Sequence, residues 1–323
     1  LLLLLCGPAL ADTVRVATWD GKFSRKHPGI LVKELASGDP VPGVDVIAEA
    51  SPDVLLLTDL DYDAGLVALR LLADQAGGYP HLFAQRPNTG RPTGLDLDGD
   101  GRLGGPGDAQ GFGWFSGQSG MAVLSRYPVE LISDNSAILW RDVPSTAMVP
   151  EDTGHDIQRL ASSGFWALRI DAPTPFTLLT LAATPPVFDG PEDRNGRRGR
   201  DEVLFWPNRL SNPATAPPAP WVIAGKFNID PMRGDGRHEA ARAVLADPRW
   251  TDPLPGQPTA AWDDLGELRL SYVLPDRALP VLDAGVTPPA PDAGPHRLVW
   301  VDLDLAPTQA QPPRPPPRPG PSR

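Results

Sequence analysis

The chain has 323 residues, with 40 acidic against 29 basic side chains and a formal net charge of −11. That length sustains one large α/β domain or two small ones. A net negative surface repels polyanions and argues against non-specific binding of DNA or RNA. The one cysteine, Cys6, leaves no pair for a disulfide and no thiolate cluster for a metal.

Residues 1–13 read LLLLLCGPALADT. A short apolar run followed by Ala9-Leu10-Ala11 before Asp12 has the form of a secretory signal and its cleavage site, so residues 1–11 are read as a signal remnant. The run is too short to span a bilayer. A secreted or periplasmic protein is expected, and its mature chain would carry no thiol.

The alternation VRVAT at 14–18 predicts a strand leading to Trp19 and Asp20. Helical spacing follows over 29–35 and 44–50. Ser51-Pro52 breaks the second helix, and DVLLL at 53–57 predicts a strand buried on both faces. Residues 64–73 predict a helix with Leu66, Leu69, Leu71 and Leu72 inward. A loop rich in Gly, Asp and Pro runs from 86 to 120, and MAVLS at 121–125 predicts the next strand. Further strands are predicted at 165–170, 176–181, 222–224, 268–273 and 298–303, with helices over 200–210 and 237–245. Strands alternating with helices predict an α/β fold, a two-sheet sandwich over residues 12–305. The end, APTQAQPPRPPPRPGPSR at 306–323, cannot bury a core and predicts a solvated polyproline-II tail.

Inside the long loop, Asp96, Asp98 and Asp100 alternate and Gly101 follows, as at the start of an EF-hand loop. Arg102 would add its carbonyl oxygen and Leu103 would anchor the loop to the core. The twelfth place is Gly107 instead of Glu, so Asp108 would have to reach in from the next position. The expectation is a structural Ca²⁺ site; the alternative is an Asp/Gly turn without an ion. The block DGPEDRNGRR at 189–198 reads as a rim loop in which Arg194, Arg197 and Arg198 pair with Glu192, Asp193 and Asp201; the alternative is that they bind an anionic ligand. His27, His81, His155 and His238 are scattered without ligand spacing.

Residues 221–231, WVIAGKFNIDP, form a buried strand ending in a polar turn, the place where α/β enzymes present their chemistry. This stretch resembles the GDxNxDP segment of the endonuclease/exonuclease/phosphatase superfamily. NTGRPTGLDLDGDGRLGGPGDAQGFG at 88–113 and TPPVFDGPEDRNGRRGRDEVLFW at 184–206 resemble a secreted bacterial branch of it. LSYVLPD at 270–276 and HRLVWVDL at 296–303 complete the ordered set. The resemblance implies a four-layer α/β sandwich with a site at one edge, where a divalent metal serves phosphoester cleavage.

Carried over residue by residue, the resemblance implies a degraded site. Asn228 and His296 are retained at positions tied to chemistry. Asp20 stands for Asn and Asp59 for a metal-binding Glu; Asp59 would be the ligand of any Mg²⁺. Ala182 stands for His, Lys226 for the Asp that handles the attacking water, Ser271 for an Asp beside Tyr272, and Pro295 for the Asp before His296. Ser119 stands for Tyr. Each acid–base group is typically worth about 10²–10⁴-fold in rate, and groups acting as a unit fail together. The expected protein is therefore a catalytically impaired relative, with the Lys226 ammonium set among Asp20 and Asp59 in place of the metal. Its partners would be an anionic small molecule or a protein. Two other readings stand beside it: a working metal-dependent phosphoesterase built on Asp20, Asp59, Asn228 and His296, and an interaction protein acting through its proline-rich tail.

Overall fold

The computed structural model describes residues 13–306. The signal-type segment and all of the proline-rich tail beyond Ala306 lie outside the described residues. In chain order the elements are β1 (Thr13–Trp19), α1 (Ile30–Ser37), α2 (Val44–Ala50), β2 (Val54–Leu60), α3 (Val67–Gln75), β3 (His81–Phe83), β4 (Gly120–Ser125) and β5 (Val129–Asp134). Then come β6 (Trp166–Ile170), β7 (Phe176–Ala182), α4 (Arg194–Leu210), β8 (Trp221–Lys226), α5 (His238–Leu245), β9 (Ala260–Trp262), β10 (Gly266–Leu268), β11 (Ser271–Pro275), β12 (Val281–Val286) and β13 (Val299–Asp304).

Two large sheets organise the fold. One has the order β12-β13-β1-β2-β4-β3, the other β11-β8-β7-β6-β5, and β9 and β10 form a small hairpin. Successive side chains of a strand point to opposite faces, and the buried strands use both. Val54 and Leu56 of β2 face the second sheet, packing with Val16, Val123, Leu168, Leu178 and Val222. Leu55 and Leu57 face outward against Leu31, Leu35, Ile47, Leu69 and Leu72 of the first three helices. On the far side, Leu179, Leu181 and Ile223 pack against Val203, Trp206, Ala240 and Val244 of α4 and α5. The result is the expected four-layer helix–sheet–sheet–helix sandwich. Among the described residues no helix is long and apolar enough to cross a membrane.

Several boundaries depart from the sequence-based expectation. The helix expected over 200–210 begins at Arg194 and has 17 residues. Gly196 and Gly199 lower helix propensity, but tertiary contact overrides it: a Cβ at Gly199 would lie 2.9 Å from the Thr184 carbonyl oxygen, so only glycine lets α4 approach that loop. The predicted single strand over 268–273 is two strands. At the break, the Leu270 and Ser271 N–H groups donate to Thr259 Oγ1 at 2.9 and 3.0 Å. In the third helix Leu69 and Leu72 are buried, while Leu66 precedes its first residue and Leu71 is half-buried. Strands β3, β5, β9 and β12 have no clear periodic signal.

Candidate active site

Four strand ends bring the site together. β1 delivers Asp20 and its parallel neighbour β2 carries Asp59; β8 ends at Lys226, and His296 precedes β13. In the second sheet Lys226 pairs in register with Ala182 on one side and Ser271 on the other. Three positions where the resemblance implies lost acid–base groups are therefore one row across three strands. The row combines one long cationic side chain with two small ones.

The Lys226 ammonium donates a hydrogen bond to Asp20 Oδ2. Burial alone would push the Lys226 pKa down, but the charges of Asp20 and Asp59 and the hydrogen bond outweigh it and leave it raised. The lysine is a fixed cation. Burial would raise the Asp20 carboxyl too, but the neighbouring ammonium holds it below the usual carboxylate range. Asp59 receives less of that cation. Burial, followed by repulsion from Asp20, pushes it up to about 6 against the opposing pull of Lys226 and a hydrogen bond with the Ser119 side chain.

His296 is buried beside this pair, with Nε2 3.9 Å from Asp20 Oδ2. Burial takes its pKa down to about 4, so the imidazole is neutral at physiological pH. Its Nδ1 has no hydrogen-bond partner, its ring meets Trp262 edge-on at 5.3 Å, and its carbonyl oxygen accepts from Trp19 Nε1 at 3.1 Å. The preceding Pro295 is exposed, and its carbonyl accepts from the Ala261 N–H at 3.1 Å. No carboxylate orients the Nδ1 side of the ring. Ser271 Oγ is likewise buried without a partner.

Asn228 sits in the left-handed region at φ 55° and donates from Nδ2 to the Ala183 carbonyl at 2.6 Å. Ala183 N–H in turn donates to the Lys226 carbonyl at 2.8 Å. Asp230 is structural: its two oxygens accept from the N–H groups of Met232, Arg233 and Arg269 at 2.7–2.9 Å, closing the turn beneath the site.

Two acids escaped the sequence reading. Asp61 lies two residues beyond Asp59 and accepts from Ser24 Oγ and the Arg25 and Ser119 N–H groups at 2.8, 2.9 and 3.3 Å, tying three site loops together. Glu202 is fully buried on α4 and accepts from the Ser162 and Thr184 N–H groups, each at 2.6 Å. The spacing TDLD at 58–61 was the available signal for Asp61. Glu202 had only the i, i+4 relation to Arg198.

The comparisons with known proteins fit this architecture. The sequence model of the Endonuclease/Exonuclease/phosphatase family matches residues 44–301. The chain belongs to that family. No curated protein gives a significant sequence match. Among solved structures, an endonuclease/exonuclease/phosphatase from Beutenbergia cavernae DSM 12333 superimposes with a TM-score of 0.58 at 18% identity, covering 91% of this chain and 72% of that one. A family protein from Bacteroides thetaiotaomicron gives a TM-score of 0.54 at 10% identity, with 90% and 94% covered. The human Nocturnin catalytic domain gives 0.53 at 14% identity, with 90% and 93% covered.

The family implies a divalent ion at this edge, and the residues present do not fit one. A Mg²⁺ site needs near-octahedral oxygen donors, yet Asp20 already accepts from an ammonium that stands between the two sheets. Ala182 offers no donor and the Ser271 hydroxyl is neutral; Asp59 is not hydrogen-bonded to the lysine, and the nearby Asp61 carboxylate already accepts from Ser24, Arg25 and Ser119. The protein's own cation already supplies the counter-charge to Asp20.

The other feature singled out in the sequence is the long loop. Carboxylate oxygens of Asp96, Asp98 and Asp108 lie within 4.8 Å of one another. Asp108 lies with them, its oxygens accepting from the Leu97 and Gly105 N–H groups, while Asp100 stands outside the cluster and caps the Arg102 N–H at 2.8 Å. Leu103 does not anchor the loop; it is 70% exposed. The anchor is Leu97, whose N–H donates to Asp108 Oδ1 at 2.7 Å. At Gly107 a Cβ would lie 2.1 Å from Asp98 Oδ2, so a side chain at that place would have to displace the exposed Asp98 carboxylate.

The arginine block is also corrected. Its first half, residues 189–193, is a largely exposed loop, but Arg194 to Arg198 form the first turn and a half of α4. Arg197 pairs bidentately with Asp152 at 2.7 Å. Arg198 is buried and donates to the carbonyls of Leu160, Gln110 and Arg159. Arg194 donates to the carbonyls of Leu97 and Thr153 at 3.2 and 2.6 Å. These guanidiniums are spent on holding loops, which leaves them unsuited to a ligand.

Proposed function

We propose that this family member is an exported protein that does not hydrolyse phosphoesters, a pseudoenzyme whose site is held together by an internal cation. The observation that carries the reading is the Lys226 ammonium bound to Asp20, in register between Ala182 and Ser271. Hydrolysis on this fold needs a water-activating group and a counter-charge for the transition state. Asp59 has a pKa raised toward neutrality and His296 is neutral, but no carboxylate orients the imidazole and no acid replaces the one lost at Lys226. The loop around Asp96, Asp98 and Asp108 is read as a weak structural calcium site, of the kind that fills outside the cell. The apolar run and cleavage motif at the start support export.

The test is turnover of phosphomonoesters, phosphodiesters and DNA with Mg²⁺ and Mn²⁺. The reading expects rates no higher than those of a variant lacking both Asp59 and His296. Metal-dependent turnover that disappears in Asp59→Asn and in His296→Ala would instead establish a phosphoesterase with an atypical centre.

A further inference from the structure

Beside the site, a groove of about 790 Å³ runs between the segment after β1 and the turn before β4. One wall carries Lys22, Arg25, Lys26 and His27; the other carries Trp114 and Phe115. Four basic or titratable side chains within six residues are conspicuous on a chain of net charge −11. Arg25 is already paired with Glu34, its Nε donating at 2.6 Å. Lys22 and Lys26 are exposed and form no ion pair among the described residues. Opposite them, the Trp114 indole is 69% exposed and meets Phe112 edge-on at 6.4 Å.

The groove is built in advance. Asp61 accepts from Ser24 Oγ and from the Arg25 N–H, and Gln118 Nε2 donates to the Arg25 carbonyl at 2.8 Å while its Oε1 accepts from the Trp114 N–H at 2.7 Å. The aromatic wall is therefore hydrogen-bonded to the basic wall through one glutamine. At Gly90 a Cβ would lie 1.9 Å from the Phe115 carbonyl oxygen, so the turn carrying the aromatics is seated tightly on the long loop. A largely apolar cleft of this size with a few fixed charges has the dimensions of a small-molecule site.

We propose that this groove binds a small aromatic anion, a flat ring bearing a carboxylate or a phosphate. The ring lies against the Trp114 indole and the anionic group takes the ammonium groups of Lys22 and Lys26. An exposed tryptophan face is an energetically strong surface for a flat ring, and unpaired lysines favour a compact anion over an extended one. Asp292 on the same rim and the overall negative charge disfavour a polyanion. The inference stands apart from the lost catalysis, because none of these groups belongs to the Asp20–Lys226 pair.

The test is calorimetric titration of the full chain with phenyl phosphate and benzoate, against inorganic phosphate and phenol as the separate halves. The expected result is that at least one ring-bearing anion binds at millimolar concentration and outcompetes both halves. The double variant Lys22→Gln/Lys26→Gln and, separately, Trp114→Ala each weaken binding about tenfold, which corresponds to about 1.4 kcal/mol. Which of the two anions binds more tightly identifies the charged group. Heat of binding reads the groove and phosphoester turnover reads the pseudoenzyme proposal, so failure of the one and failure of the other are separable. Binding that survives both Lys22→Gln/Lys26→Gln and Trp114→Ala unchanged would move the anion away from this groove and overturn the proposal. So would the absence of any heat with both ring-bearing anions from a protein whose melting curve is intact.

Discussion

Replacing Lys226 with Met removes one charge and nearly preserves volume, so it isolates the electrostatic role of the ammonium. The variant leaves Asp20 and Asp59 facing each other in a largely buried site. Breaking a buried ion pair by deleting one partner costs about 3–5 kcal/mol, because the other charge stays desolvated. Part of that is relieved here. Asp59 already titrates at about 6, so drawing it to full protonation at pH 7 adds only about 1–1.5 kcal/mol to what the native fold bears. The remainder falls on Asp20, which loses its donor. The expected destabilisation is about 2–4 kcal/mol at pH 7, or about 3–7 °C in Tm for a domain of this length. At pH 5, where Asp59 is protonated in both proteins, the difference shrinks by about 1 kcal/mol. A further contrast separates a tethered cation from a metal. Millimolar Mg²⁺ raises the melting temperature of Lys226→Met, whose two carboxylates now lack a counter-charge, and leaves the wild type unmoved. Thermal melts at the two pH values, with and without Mg²⁺, measure all four quantities. A variant as stable as the wild type, or a wild type stabilised by Mg²⁺, would refute the reasoning.

Asp59 and His296 give opposed pH dependences. The folded-state pKa of Asp59 is raised to about 6, so its contribution favours folding below its unfolded value and is lost as pH rises through 6. That of His296 is depressed to about 4, so its contribution is present above its unfolded value and lost as pH falls through 4. Between pH 4 and 6.5 the two nearly cancel; His296→Phe should be more stable at pH 5 than at pH 7 by about 1–2 kcal/mol, and Asp59→Asn less stable by a similar amount. Urea titrations of the two variants check the signs. In the long loop, Ca²⁺ should raise Tm in the wild type and not in Asp98→Asn/Asp108→Asn; no shift in the wild type leaves the loop a simple Asp/Gly turn. Glu202→Ala should cost about 3–5 kcal/mol, because it removes a counter-charge from the buried Arg198 and leaves two N–H groups without their acceptor; a melting temperature within a degree or so of wild type would show that the clamp is dispensable.

The buried half of the fold was legible because its strands advertise themselves. DVLLL needs both faces covered, and β2 has both covered. The edge strands carry no such mark. β5 exposes most of its six residues, and β12 sets Gly285 under the Trp300 ring, 2.6 Å from where a Cβ would lie, a reason for glycine that no local pattern reveals. The candidate site was legible as a set of positions and not as a geometry. Lys226, Ala182 and Ser271 are far apart in sequence and form one row only because β8 pairs with β7 on one side and β11 on the other. The arginine block misled because charged residues near glycines look solvated. Arg198 is buried with its donors spent on three carbonyls, an arrangement fixed entirely by segments that precede it in the chain.

The row also bears on whether the site could be restored by one change. A lysine at a strand end needs room for its four-carbon stem and an acceptor for its ammonium. Ala182 and Ser271 are the small in-register neighbours beside it, and Asp20, on the opposing sheet, supplies the acceptor. Returning Lys226 alone to Asp would put a third carboxylate beside Asp20 and Asp59, with no cation among them and a neutral His296 as the nearest base. Such a cluster would be stable only with protons or a divalent ion bound. Lys226→Asp is thus expected to gain Mg²⁺-dependent stability without gaining hydrolysis, since on the proposed reading Ala182, Ser271 and Pro295 supply no orienting group. Appearance of Mg²⁺-dependent phosphoester turnover in that single variant would mean that the lysine alone had silenced the site.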